Sequence, residues 1–557
     1  MTSSYKKIGY LITSLIMLLA GCARSPGSAD QIFTNAVVWT GNSLQPYAEA
    51  VAIRGDRILA VGDAGDIDQY RSGNTKMTDA GGAFITPGFI DSHIHFLTGG
   101  FRLSSVQLRD ASTPEEFAER IRDFAATLSA GTWITGGDWD HENWGGELPD
   151  RQWIDHHTPD HPVWVNRLDG HMALANTAAL RAAGLDDSAQ DIPGGEMVRD
   201  NDGRLTGILK DNAMNPVNRV VPPPSAEQED AALRSAMHYV ASQGVTSVHD
   251  VNGTMDVFDR FHASGELITR IYASVPLARW QEAAGRIRTR GSGDEWLRTG
   301  GVKGFMDGSL GSHTAAFLEP YDDTPGDAGF LVIEPDTILG LIRDADEAGL
   351  QMLIHAIGDL AIRELLDIFE QVAGENGPRD RRFRIEHAQH IATEDISRFA
   401  ELGVIASTQP YHAIDDGRWA GRYIGDRIAT TYAFHSLADA NAHIAFGSDW
   451  FVAPPTPLEG IYAAVTRRTL DGANPDGWVP EQKITVEEAL RFYTFGGAYA
   501  SFEEELKGTI EPGKLADLVF IDRNLIETDP VQIRDAQIMR TMVGGKTVYT
   551  RSENMNE

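Results

Sequence analysis

The sequence predicts an α/β protein: a (β/α)8 TIM-like barrel, a small β-sandwich domain built from both chain ends, and a long insertion near the barrel mouth. Three observations carry this. Through the middle of the chain, short β-branched runs alternate with helical stretches, and each run ends in a polar residue able to bind a ligand. Strand-then-helix repetition argues for a parallel sheet with covering helices, and polar strand ends are how such barrels present a catalytic face. Both ends of the chain carry a different texture, short strands broken by turns. Finally, 208 residues separate His95 from Lys303, far more than two or three βα units need.

In chain order, the first segment is a processing signal rather than fold. Lys6 and Lys7 precede a 13-residue apolar stretch, Ile8 to Ala20, too short to span a bilayer comfortably. It ends in Leu19-Ala20-Gly21-Cys22, which resembles a bacterial lipobox. That resemblance implies a signal peptide over 1–21, lipid on Cys22 and a periplasm-facing anchor. Ala23 after the cysteine implies the outer membrane. Residues 22–30 read as a tether. The N-terminal part of the β-domain covers 31–84, with strands at Ile32–Thr34, Ala36–Thr40, Ala50–Ile53 and Arg57–Gly62. The barrel follows over 85–500, with the insertion at about 109–221. Its helix candidates are Pro114–Leu128, Ala226–Gln243, Asp336–Ala348, Leu360–Val372 and Thr393–Leu402. Beyond the run ending at His95, its strand candidates are Thr246–His249, Gly301–Phe305, Gln351–His355, Arg384–His387 and Ile444–Asp449. Residues 501–557 complete the β-domain with a strand at Ala516–Asp522 and a hairpin over Arg540–Val548.

Composition narrows the function. With 48 basic against 80 acidic residues the chain carries −32, which argues against nucleic acid or an anionic membrane surface as partner. Membrane association is expected only through Cys22. One cysteine allows no intrachain disulfide and no Cys-rich zinc site. The chemistry falls to His, Asp, Glu or Lys.

The most informative stretch is Pro87-Gly88-Phe89-Ile90-Asp91-Ser92-His93-Ile94-His95. Residues i and i+2 of a strand share a face, so the two imidazoles can hold one metal ion. Further along, Lys303, His355, His387 and Asp449 each fall at a predicted strand end. In this order the chain resembles the amidohydrolase superfamily, specifically the amidohydrolase-3 branch containing N-substituted formamide deformylase. The motifs are Gly88 to His95, Val302 to Ser312, His355 to Asp359, Arg384 to Gln389 and Phe446 to Trp450.

The resemblance implies a metal-dependent hydrolase of non-peptide C–N bonds (amide, N-formyl or carbamate-like) working through a metal-activated hydroxide on a small-molecule substrate. His93 and His95 hold a first divalent ion in that scheme, and His355 and His387 a second. Carboxylated Lys303 bridges them, and Asp449 touches the first ion and shuttles the proton. The metal is zinc by preference, with manganese and iron open. An unmodified Lys303 with a single ion is the alternative. His171 is open between binding the substrate carbonyl and anchoring the insertion. His249 and Asp250 are read as supports, Glu386 as a possible partner of His387, and Trp139, Trp144 and Trp450 as candidate pocket walls. His313 stands where relatives commonly carry arginine. Competing readings are an esterase or lactonase on the same site and a non-catalytic binding lipoprotein.

Overall fold

The computed structural model describes residues 27–551, so the signal segment, Cys22 and most of the tether lie outside the described residues. Eight parallel strands run in sequence order around one sheet: β1 (Phe89–Ile94), β2 (Val245–Asp250), β3 (Arg270–Pro276), β4 (Leu297–Phe305), β5 (Gln351–Ala356), β6 (Arg384–His387), β7 (Ile405–Thr408) and β8 (His443–Phe446). The strands are buried on both faces, as expected where helices ring the outside of such a barrel and the strands' own side chains fill its inside. The seam between β8 and β1 is tied by backbone: Asp449 N–H donates to the His93 carbonyl (2.7 Å) and His95 N–H to that of Trp450 (2.8 Å). Ser448 reinforces it by donating its N–H and Oγ–H to the Asp91 carboxylate, at 2.9 and 2.6 Å.

Two barrel strands, β3 and β7, go unannounced in the sequence. Ile405-Ala406-Ser407-Thr408 is short and weakly β-forming, and complete burial between β6 and β8 makes it a strand. The helices sit where their caps place them. Thr113 caps Pro114–Ala125 by accepting from Glu116 N–H, and a reciprocal Ser225–Gln228 box starts Ala226–Ser242.

The insertion is a sheet rather than a loop. Six strands order as Gly195–Arg199, Leu205–Asp211, Met172–Ala175, Val163–Arg167, Ile134–Trp139 and Val106–Gln107. Alternation gives each face its own core: Val163, Val165, Leu174 and Ile208 pack with Phe117 and Trp139, while Trp164, Ala173, Ala175 and Leu209 pack with Leu180 and Val217. The turn at 168–171, between two of its strands, reaches the barrel mouth.

Both chain ends meet in a sandwich. One sheet pairs Gln31–Thr34 with Ala50–Arg54, Arg57–Gly62 and Lys76–Asp79. The other runs Lys546–Thr550, Ile538–Val543, Leu518–Ile521, Phe84–Pro87, Val37–Trp39 and Tyr47–Ala48. Phe33, Val51, Ile53, Ile85, Leu518, Phe520 and Met542 form the core between them. The sequence puts the join with the barrel at 84/85. Instead Phe84–Pro87 pairs with Leu518–Ile521 inside the sandwich, because its partners there leave it no barrel neighbour. No helix among the described residues is long and apolar enough to cross a membrane.

Candidate metal centre and active site

Parallel strands all end at one rim, so residues far apart in sequence meet there. His95, His171, Lys303, His355, His387 and Asp449 line one cavity of about 190 Å³, with His93 buried beneath them. Asp449 is the hub. Its Oδ1 lies 3.4 Å from His93 Nε2 and 3.2 Å from His95 Nε2, and its Oδ2 is 3.9 Å from His387 Nδ1. Asp449 and His387 both hold left-handed backbone (φ 60° and 72°), a costly conformation that the surrounding structure must enforce.

Each imidazole is held by one nitrogen. His93 Nδ1 bonds Glu386 (2.5 Å), His95 Nδ1 bonds Asn252 (2.5 Å), His387 Nδ1 bonds Gln409 (2.8 Å) and His171 Nδ1 bonds Asp211 (2.7 Å). That frees Nε2 of each for a ligand, the arrangement by which an outer partner fixes tautomer and ring orientation. His355 is turned the other way. Its Nε2 meets the Gly308 carbonyl at 2.8 Å, which leaves Nδ1 as its free nitrogen, beside the His387 ring at 4.5 Å between centroids.

The donor set fits a divalent cation. Among the described residues the ligand atoms of His93, His95 and Asp449 lie within 4.8 Å of one another, as do those of His387, His412 and Asp449. His93 Nε2, His412 Nε2 and Asp449 Oδ1 are buried with no hydrogen-bond partner there. Buried polar atoms are nearly always satisfied; a cation between His93 Nε2 and Asp449 Oδ1 accounts for those two, while His412 Nε2 stays without a partner.

Electrostatics agree. Burial pushes the Asp449 carboxyl up, but His93, His95 and His387 outweigh it and hold the group well below the usual carboxylate range. Burial likewise raises Glu386, and Arg384 (2.8 Å) with His93 draws it down to about 2. Burial pulls the Lys303 ammonium down to about 8, against the opposing pull of Glu386 and Asp449. That shift favours the free amine, the form that reacts with CO₂. Burial disfavours charge on His171, yet Asp211, Asp169 and Asp307 raise it.

His171 arrives from the insertion, and its ring lies 4.9 Å from that of His355. The turn bearing it is pinned by Asp169, which accepts from His171 N–H (3.1 Å), Arg167 (2.6 Å) and Ser309 (2.6 Å). So the turn is anchored through Asp169 and places His171 on the cavity lining.

Several expectations change. Glu386 partners His93, not His387, because Gln409 takes the His387 nitrogen. Trp139 and Trp144 pack inside the insertion with Phe117, and Trp450 packs on Tyr239. Trp419, Phe451 and Phe305 supply the cavity's aromatic walls instead. His313 bonds Asp323 (3.0 Å) and packs at a tilt against Tyr423, away from the cavity lining. Asp250 acts as a support, accepting from Asn252 and Gly253 N–H and so fixing the turn that holds His95. His249 accepts from Arg384 at 3.0 Å. The sequence missed His412, Gln409 and Asn252. For the first two a signal exists, Thr408-Gln409-Pro410, a strand end followed by a proline suited to a helix start.

Comparison with known proteins agrees with this geometry. The chain belongs to the amidohydrolase family, whose model matches residues 76–549. It is a hydrolase of a metal-dependent class, and the branch resemblance read from its motifs is borne out. It is 39% identical over 537 residues to Protein LONG AFTER FAR-RED 3 of Arabidopsis thaliana, covering 94% of this chain and 92% of that one. It is 29% identical over 545 residues to N-substituted formamide deformylase of Arthrobacter pascens (94% and 99%). The crystal structure of an uncharacterized metal-dependent hydrolase from Pyrococcus horikoshii superposes with TM-score 0.72 at 27% identity, covering 90% of this chain and 99% of that one.

Proposed function

We propose that this hydrolase cleaves a carbon–nitrogen bond in a small non-peptide amide, N-formyl or carbamate-like compound, at a metal centre in the barrel mouth. The observation that carries the reading is a pair of ligand clusters sharing Asp449, one with His93 and His95 and one with His387 and His412, in which His93 Nε2 and Asp449 Oδ1 are buried without partners. Likeness to N-substituted formamide deformylase supports the bond type. His93, His95 and Asp449 would hold one ion, zinc by preference. His387 Nε2 and His355 Nδ1 would hold a second, with Lys303 as its carbamate between them. A divalent ion bound there supplies a Lewis acid and lowers the pKa of water to about 7.

The chain's own groups do the rest. The Asp449 carboxylate accepts the proton of the attacking water and returns it to the leaving nitrogen, which departs as a neutral amine. His171, oriented by Asp211, donates from Nε2 to the carbonyl oxygen as negative charge grows there. Phe305, Trp419 and Phe451 give the cavity aromatic walls against which the apolar part of a substrate would pack. Lys303 forms the carbamate when its neutral Nζ attacks CO₂ and loses a proton. We also infer from Leu19-Ala20-Gly21-Cys22 that the enzyme is lipid-anchored, facing the periplasm.

The test is metal content by inductively coupled plasma mass spectrometry, followed by an amide and ester panel. Close to two metals per chain is expected, dropping sharply in Lys303→Ala, with amide turnover that chelation abolishes and zinc restores. About one metal, unchanged in Lys303→Ala, would remove the bridge from the scheme. No metal after purification in added zinc would sink the hydrolytic reading, and ester turnover without amide turnover would replace the bond type.

A further inference from the structure

The scheme above leaves one buried imidazole without work. His412 lies on the helix Pro410–Asp416, directly after β7, and is only 9% exposed. Its Nε2 has no hydrogen-bond partner among the described residues, and a ligand atom of its ring lies within 4.8 Å of those of both His387 and Asp449. The ring lines the cavity and runs nearly parallel to that of His387, 11° between planes and 6.5 Å between centroids.

The turn that delivers it is fixed. Gln409, its neighbour but two, accepts from His387 Nδ1 at 2.8 Å, so one turn both orients His387 and aims His412 at the same point. The helix beyond is held by Arg418, which bonds Asp415 and, across to the insertion, Asp140 at 3.0 Å. A merely structural histidine in such a place would find a partner, since an unsatisfied buried donor costs the full desolvation of that group.

Two roles compete for that nitrogen, ligand or donor. His93, His95, Lys303, His355, His387 and Asp449 already give six protein groups to one or two ions. Catalytic zinc sites keep an open position, and a seventh protein ligand would close it.

We propose that His412 is a further catalytic residue, whose Nε2–H donates a hydrogen bond to the substrate's carbonyl oxygen. It would act from the His387–Asp449 side of the cavity, while His171 acts from beside His355. This rests on the hydrolytic reading of the same site. Two imidazole donors on one oxygen would suit a carbonyl compound whose oxygen becomes anionic in the reaction.

Zinc-loaded wild type, His412→Ala and His412→Gln are compared for bound metal by mass spectrometry and for affinity toward acetohydroxamate by calorimetry. This small N-acyl probe carries the carbonyl and N–H of the proposed class. Zinc per chain is expected to be equal in all three. Acetohydroxamate should bind about 10-fold more weakly to His412→Ala and recover to within about 3-fold in His412→Gln, whose amide restores a donor. Unfolding midpoints read alongside should not track this order. Zinc loss in His412→Ala makes the residue a ligand and overturns the assignment. Equal acetohydroxamate affinity in wild type and His412→Ala overturns it too, as does a failure of zinc-loaded wild type to bind the probe. If wild type holds no zinc, the hydrolytic reading fails first and takes this one with it.

Discussion

Glu386 is the buried charge on which the centre turns, and Glu386→Gln isolates that charge. The carboxylate is fully buried, meets His93 Nδ1 at 2.5 Å and pairs with Arg384 at 2.8 Å. Gln keeps an acceptor for His93 but removes the counter-ion of Arg384, which is also fully buried. Arg384 retains only the Ser92 carbonyl, Ser407 and His249. A carboxyl drawn from 4.5 to about 2 has its charged form favoured in the fold by about 3 kcal/mol. Breaking a buried pair by removing one partner typically costs 3–5 kcal/mol, roughly the same. The folded value lies below the unfolded one. The contribution is therefore complete above about pH 4.5 and is lost as pH falls toward about 2. Urea denaturation of metal-free protein at pH 7 should show Glu386→Gln about 3 kcal/mol less stable. Its stability should also fall less steeply than wild type's over that acid window. Because Glu386 sets the orientation and basicity of His93, zinc affinity against a competing chelator should weaken about 10–100-fold. Equal urea midpoints together with zinc affinity within about 3-fold of wild type would refute the reasoning.

Other consequences are independent of this one. His171→Ala should lower kcat about 10²-fold at unchanged metal content, with Asp211→Asn intermediate; steady-state kinetics on the best amide of the panel read this. Gly311→Ala would place a methyl 2.6 Å from the Arg167 guanidinium, pushing it off Asp169 and loosening the turn that carries His171. A loss of about 10²-fold in kcat/KM with full metal loading is expected, and wild-type kinetics would contradict the pinning role. Cys22→Ser should move the protein from the membrane pellet to the soluble periplasmic extract on fractionation. Persistence in the pellet would contradict the lipid anchor.

Much of the barrel is legible because its signals are local. The alternation of apolar runs and helices, the His-x-His at a strand end and the turn-rich chain ends all act within a few residues. Likewise, His93, His95, Lys303, His355, His387 and Asp449 could be named together because parallel strands deliver their ends to one rim whatever their spacing. Strands β3 and β7 were not legible, since Ile405-Ala406-Ser407-Thr408 owes its conformation to neighbours on both sides. With β7 unseen, the turn after it was unseen as well, and with it Gln409 and His412.

What the sequence by itself carried is a set of ligand-capable residues, two imidazoles on one strand face with a lysine and an aspartate at later strand ends, and the ordered motifs by which the chain resembles the amidohydrolases. Only the tertiary structure decided which nitrogen of each histidine is free, that Glu386 serves His93, and that the insertion's turn brings His171 against His355. Those facts depend on pairs 293, 47 and more than 180 residues apart. Side-chain direction at such range is set by packing and hydrogen bonding in three dimensions, and no local pattern encodes it.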